Sequence, residues 1–174
     1  MEPIRAQGGQ SVRAGWRFYH CVTPMIALLQ RVSEGRVSVD GRTIGEIGLG
    51  LVVLLGVVKN DDAAAADRLL ERVLNYRVFA DRAGRMNLSL REVSGGLLLV
   101  PQFTLAAETA GGNRPGFSRA AAPHEAEALY DYVLERARTL HSPVAGGSFG
   151  AHMSVSLVND GPVTLWLESG QGGR

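Results

Sequence analysis

Residues 50–58 read GLVVLLGVV, and the fold class turns on how that run is taken. β-Branched residues and leucines follow one another with no polar alternation, and the run is too short for a helix. A continuous apolar segment of this kind fits a strand buried on both faces. Upstream, MIALLQRV (25–32) and RVSVDG (36–41) also read as strands, and Asp40-Gly41 marks a tight hairpin turn into RTIGEIG (42–48). Downstream, Asn60, Asp61 and Asp62 are N-cap candidates for a helix through about Asn75, with Leu69, Leu70, Val73 and Leu74 on one face.

DRAGRMN (81–87) reads as a loop. LLLVPQFTL (97–105) reads as another strand, in which Gln102 and Thr104 share one face, and it ends at the glycine-rich loop AGGNRPGFS (110–118). Pro123 suits the first turn of a second helix, and Glu125 and Glu127 favour its positive end. Leu129, Val133 and Leu140 form its expected buried stripe, and it stops near His141-Ser142-Pro143. GSFGAHMSVSLVND (147–160) and PVTLWLE (162–168) are two more strands, joined through Gly161-Pro162. Strands dominate and helices arrive singly. The expected fold is therefore α+β: a single domain with a curved, mostly antiparallel, barrel-like sheet and two main helices.

The 174-residue chain is 45% hydrophobic with a net charge of +1, the profile of one globular domain. Near-neutrality argues against a grip on long nucleic acid through many phosphates, DNA included. Any polyanion is expected to be held over a small area, and Arg114 and Arg119 lie in a loop suited to a few phosphate contacts. Cys21 is the only cysteine, which excludes an intramolecular disulfide, and His20, His124, His141 and His152 lack zinc-site spacing, so no metal is expected. No apolar run reaches membrane-spanning length, and a cytoplasmic location is the default. Residues 1–24 lack periodicity and are read as a leader or upstream start, residues 25–168 as the domain, and residues 169–174 as a flexible tail.

No serine sits in a nucleophile elbow, and no histidine and acid stand out as its partners. GEIGLG (45–50) precedes a strand rather than a helix, so it offers no helix N-terminus to a phosphate.

The motifs MIALLQRVSEGRVSVDG, GEIGLGLVVLLGV, MNLSL, PQFTLAAET, NRPGFS, AEALYDYV and VSLVNDGPVT occur in an order that resembles the D-aminoacyl-tRNA deacylases, also known as the D-tyrosyl-tRNA deacylase family. The match runs from Met25 to about Glu168, and QFTL with NDGPVT is the specific combination. The resemblance implies a cytosolic homodimer, working without cofactor, that hydrolyses the ester between a D-amino acid and the terminal adenosine of tRNA. It also implies removal of glycine from mischarged tRNA-Ala. A non-catalytic homodimer that binds the tRNA acceptor end is the alternative.

By the same resemblance, Gly161 and Pro162 form a Gly-cisPro pair inserted from one subunit into the other's site. Gln102 and Phe103 hold the terminal adenine and ribose. Thr104 is the family's suggested nucleophile, yet a lone threonine without a base is weakly activated, and assistance by the substrate's own 2′-hydroxyl is the preferred reading. Arg31 supports the Gly-Pro segment, Phe149 and Met153 line the pocket, and Ala126 lies close to the adenosine. Rigid backbone oxygens can exclude one enantiomer whatever its side chain, which hydrophobic fit cannot do. Two positions depart from the usual pattern. Pro101 stands where many members have serine, which removes a hydroxyl and an N–H, and Gly116 replaces a bulkier serine.

Overall fold

The computed structural model describes residues 24–170; the expectations for residues 1–23 and 171–174 lie outside them. The long strand β1 (Ile26–Val39) runs through the reading frames of two expected strands without a break. Its one edge pairs antiparallel first with β3 (Gly50–Gly56) and then with β2 (Arg42–Ile47); its other edge pairs along almost its whole length with β8 (Met153–Glu168). The β1–β2 turn has φ of 50° at Asp40 and 77° at Gly41, the left-handed pair that a two-residue hairpin demands.

β3 then pairs parallel with β6 (Gly96–Pro101), and β6 pairs parallel with β7 (Val144–Gly146). The sheet is therefore mixed, and nearly closed where Gly45 of β2 comes within 3.0 Å of the Gly146 carbonyl, measured from the Cβ it lacks. Parallel neighbours need crossover connections, and the two main helices supply them: α1 (Ala63–Asn75) between β3 and β6, α3 (Pro123–Leu140) between β6 and β7. Between α1 and β6 lie a small hairpin, β4 (Phe79–Ala80) and β5 (Met86–Leu88), whose strands flank the expected loop 81–87 and take its last two residues into β5, and a one-turn helix α2 (Leu90–Val93).

β3 and β6 explain the unbroken apolar runs. Leu51, Val53 and Leu55 with Leu97 and Leu99 face the helices and join Leu69, Leu70, Val73 and Leu74 of α1 in the main core. The alternate residues Val52, Leu98 and Val100 point into the barrel, with Val32, Val37 and Ile47. Both faces are covered, so neither needs polar alternation. At the start of these strands a Cβ on Gly50 would lie 1.9 Å from the Gly96 carbonyl oxygen, so the two backbones touch there only because glycine occupies the position.

Asp62 caps α1 by accepting the Ala65 N–H at 2.7 Å. Ser89 and Glu92 form a reciprocal capping box on α2. The buried seam of α3 is Ala126, Tyr130, Val133, Leu134 and Ala137; of the expected stripe, Val133 belongs to it, Leu129 packs half-buried against the same core and Leu140 does not join it. The small alanines let the helix press close to the sheet. Leu140, at its last position, is 37% exposed where the chain turns away.

Gly161-Pro162 does not separate two strands. β8 continues through it, and the pairing with β1 slips there: Val32 opposes Asn159 while Gln30 opposes Thr164. Residues 160–163 thus lie opposite the single residue Arg31 and are thrown out of β8 as a long bulge. Ser169, placed in the tail by its sequence, is buried and donates its N–H to the Met25 carbonyl at 2.9 Å.

Candidate active site

The polypeptide leaves β6 at Pro101, whose missing N–H ends the ladder. The Gln102 N–H makes the last bond, to the Leu55 carbonyl at 2.8 Å. A 3₁₀ turn, Phe103–Ala106, follows. This corrects the extended reading of residues 102–105: Gln102 and Thr104 meet because the chain turns, not because they alternate on a strand. The Gln102 Nε2 donates directly to Thr104 Oγ1. Phe103 is thrown outward, 56% exposed.

A cavity of about 260 Å³ opens beside this turn. Val100, Pro101, Gln102 and Phe103 form one wall, and Phe149, Gly150, Ala151, His152, Met153 and Val155 form the other. Four residues expected from sequence, Gln102, Phe103, Phe149 and Met153, are brought together here. Thr104 joins them through Gln102 and is exposed. Two larger concavities, of about 590 and 630 Å³, gather none of these residues.

The second wall is held by contacts that pattern reading does not reveal. Gly147 donates its N–H to the Leu99 carbonyl at 2.8 Å. Its position would place a Cβ 2.8 Å from Met153 Sδ and 3.1 Å from Pro101 Cδ, so a side chain there would collide with the cavity floor. Tyr130, buried in α3, sets its hydroxyl 3.0 Å from the Gly147 carbonyl and 3.1 Å from that of Leu99. Its ring lies 6.4 Å from that of Phe149. Burial pushes the Tyr130 phenol up to about 12, so it stays a neutral donor throughout the working range. A single tyrosine thus ties the helix to both sides of the cavity. The expected stripe of α3 does not include it, and nothing in the sequence points to its partners. His152 also lines the cavity and was set aside in the sequence for lacking metal-ligand spacing.

Four expected site residues lie elsewhere. Ala126 is buried in the helix–sheet core and does not line the cavity. Gly161 and Pro162 are exposed on the β8 bulge, and neither lines this chain's own cavity. Arg31 stands against that bulge. Its Nε donates to the Asp160 carbonyl at 3.0 Å and lies 3.1 Å from the Asp160 carboxylate, while Nη1 donates to the Val78 carbonyl at 2.5 Å. Asn159 closes the bulge from the other side, accepting the Val163 N–H at 2.8 Å and donating to Thr164 Oγ1 at 2.9 Å. Gly161 has φ of 122°, and a Cβ there would meet the Arg31 guanidinium at 2.5 Å.

The isomer of the Gly161-Pro162 bond corrects the expectation. The one cis peptide bond among the described residues is Ser142-Pro143; Gly161-Pro162 is trans. A trans bond keeps β8 extended through its bulge, and it is the form an X-Pro bond prefers by about 0.5–1 kcal/mol without other constraint.

Among the described residues no group of three His, Cys, Asp or Glu side chains is placed to hold a metal ion, and no helix is long and apolar enough to cross a membrane. The chemistry available at the cavity is that of main-chain groups, the Gln102 amide, the Thr104 hydroxyl, the His152 imidazole and apolar walls. Such a set can bind and orient an ester and stabilise an oxyanion, and it contains no charged nucleophile–base pair.

An α+β domain with an amide-and-backbone cavity of this kind has close relatives. The family model described as D-Tyr-tRNA(Tyr) deacylase matches residues 28–168, and the chain belongs to that family. A D-aminoacyl-tRNA deacylase of Thioalkalivibrio sulfidiphilus is 62% identical over 144 residues, covering 83% of this chain and 97% of its own length. One of Escherichia coli is 57% identical, covering 83% and 99%. Among solved structures, a c-Myc DNA unwinding element binding protein superposes with a TM-score of 0.79 at 38% identity, covering 82% of this chain and 97% of its own.

Proposed function

We propose that the protein is a D-aminoacyl-tRNA deacylase, an editing hydrolase that cleaves the ester joining a D-amino acid to the 3′ end of tRNA. The observation that carries this reading is the cavity at the end of β6, which collects Gln102, Phe103, Phe149 and Met153 in a chain of this family. The terminal adenosine lies along the Gln102–Phe103 turn, and main-chain N–H groups steady the oxyanion of the tetrahedral intermediate. Thr104 Oγ1 accepts from the Gln102 amide and has no base beside it among the described hydrogen bonds. The substrate's vicinal 2′-hydroxyl therefore assists the attack of water, rather than a threonine nucleophile.

Chirality is read by main chain. Gly161-Pro162 projects from a bulge clasped by Arg31 and Asn159, a stiff outward ridge with no cavity of its own. In the working homodimer the ridge of one protomer enters the cavity of the other, where its carbonyls exclude an L-side chain. Glycine has no side chain to exclude, so glycyl-tRNA-Ala is also a substrate. The bulged edge of β8 and its exposed Val155, Val158 and Trp166 support the pairing of two copies. The site of action is the cytoplasm.

Paired hydrolysis of D-tyrosyl-tRNA and L-tyrosyl-tRNA tests the reading. The D-ester should be cleaved at least about a hundredfold faster, the scale of one excluded contact at about 3 kcal/mol. Protection of both esters would replace the enzyme with a silent binder of the acceptor end, and equal cleavage would remove the chiral role of the ridge.

A further inference from the structure

Phe117 is an exposed aromatic that the cavity does not use. It is 39% exposed, and its ring centroid lies 5.1 Å from that of Phe103 at an interplanar angle of 55°. Phe103 lines the cavity; Phe117 does not. The pair therefore steps outward from the cavity mouth, and two large apolar rings stand in solvent side by side. They are tilted, so they cannot sandwich one base. They present two adjoining faces in different directions instead.

The loop that carries Phe117 is built to hold it. Glu108 and Gly116 pair through both backbone bonds, at 2.7 and 3.0 Å, and Ser118 Oγ donates to the Glu108 carboxylate at 2.6 Å. The Ala120 N–H then bonds the Phe117 carbonyl at 3.1 Å, and the Arg119 carbonyl accepts the Lys59 N–H. Arg114 is exposed within the same loop, and Arg119, two residues past the ring, is half-buried, its Nε buried without a hydrogen-bond partner among the described residues. A fixed aromatic face with cations on its own loop is the chemistry that holds single-stranded nucleic acid.

The geometry points to a second nucleotide subsite, in which Phe117 stacks the base that precedes the terminal adenosine while the Arg114–Arg119 loop meets the linking phosphate. This rests on the deacylase reading, which places adenosine at Phe103, and it adds a grip outside the reacting ester. The occupant is a nucleotide rather than a second copy of the chain because the ring adjoins Phe103 at the cavity mouth and its loop carries Arg114 and Arg119 on either side of it in sequence.

The test is inhibition of D-tyrosyl-tRNA hydrolysis by adenosine and by the dinucleotide cytidylyl-(3′→5′)-adenosine. On the wild-type protein the dinucleotide should inhibit on the order of tenfold more tightly, the scale of one base–aromatic stack. Phe117→Leu should erase that advantage while inhibition by adenosine stays as it was, and Phe117→Tyr should keep it. Equal inhibition by both compounds on the wild type, or an advantage that survives Phe117→Leu, would overturn the subsite alone. A Phe117→Leu protein that sediments differently and loses both inhibitors equally would make the ring a subunit contact and overturn it as well. Absence of any D-ester hydrolysis by the wild type would bring down the deacylase reading and the subsite together.

Discussion

Asp61 is a carboxylate held where a carboxylate is costly. Burial raises it from 3.8 to about 6; the Val58 N–H bonds Oδ2 at 2.8 Å and offsets part of that, while Oδ1 is buried without a partner among the described residues. Between about pH 4 and 6 the folded chain holds this proton more tightly than the unfolded one, so the contribution of Asp61 to stability falls as pH rises through that window. Asp61→Asn should remove the effect. Thermal melts should show the variant gaining on the wild type from pH 4.5 to pH 7.5, and parallel profiles would refute the assignment. Gly161→Ala has a different signature. Its Cβ would press on the Arg31 guanidinium at a φ of 122° that alanine resists. The expected loss is about 1–2 kcal/mol of stability together with a D-over-L ratio reduced by tenfold or more, read by chemical denaturation and the paired ester assay. Thr104→Ala should keep activity within about tenfold of wild type, because the hydroxyl is a hydrogen-bond acceptor for Gln102 rather than an activated nucleophile.

Among the elements, the capping box of α2 is the most local device. Ser89 is buried, accepts the Glu92 N–H, and receives the Glu92 carboxylate on its own N–H at 2.7 Å. Ser89→Ala should cost about 1 kcal/mol, measured as a lower denaturant midpoint with an unchanged slope. Elements whose cause is this local are legible in the sequence: the Asp40-Gly41 hairpin, the Asp62 cap, the doubly buried β3 and the strand β6 follow from residues a few positions apart. The misread elements have distant causes. The 102–105 stretch alternates like a strand, yet Pro101 closes the ladder and leaves only Leu55 as partner for Gln102. Gly161-Pro162 resembles a hairpin turn, yet β1 lies alongside both halves of β8, and Arg31, far back in the sequence, clasps the extra residues as a bulge. The same distance hides the site: Gln102 and Phe103 are legible through their motif, whereas the hold of Tyr130 on Gly147 is a contact between helix and sheet that no local pattern encodes.

For the whole molecule, the cavity and the Gly161-Pro162 ridge are separate features of one chain, and on the proposed reading the chiral site is completed by a second copy. Sedimentation at micromolar concentration should give a dimer. Val158→Asp, which puts a charge on a 51% exposed apolar residue beside the bulge, should shift it to monomer and abolish D-ester hydrolysis while the thermal transition is kept; a monomeric protein with full activity would refute the shared site. The bond between the Ser169 N–H and the Met25 carbonyl has a practical consequence. It fastens the residue before β1 to the residue after β8, beside the Ile26–Glu168 rung. A short glycine-rich bridge from residue 170 back to residue 24, with new ends opened in the exposed Ala83-Gly84 turn, should therefore yield a circularly permuted protein with the same sheet.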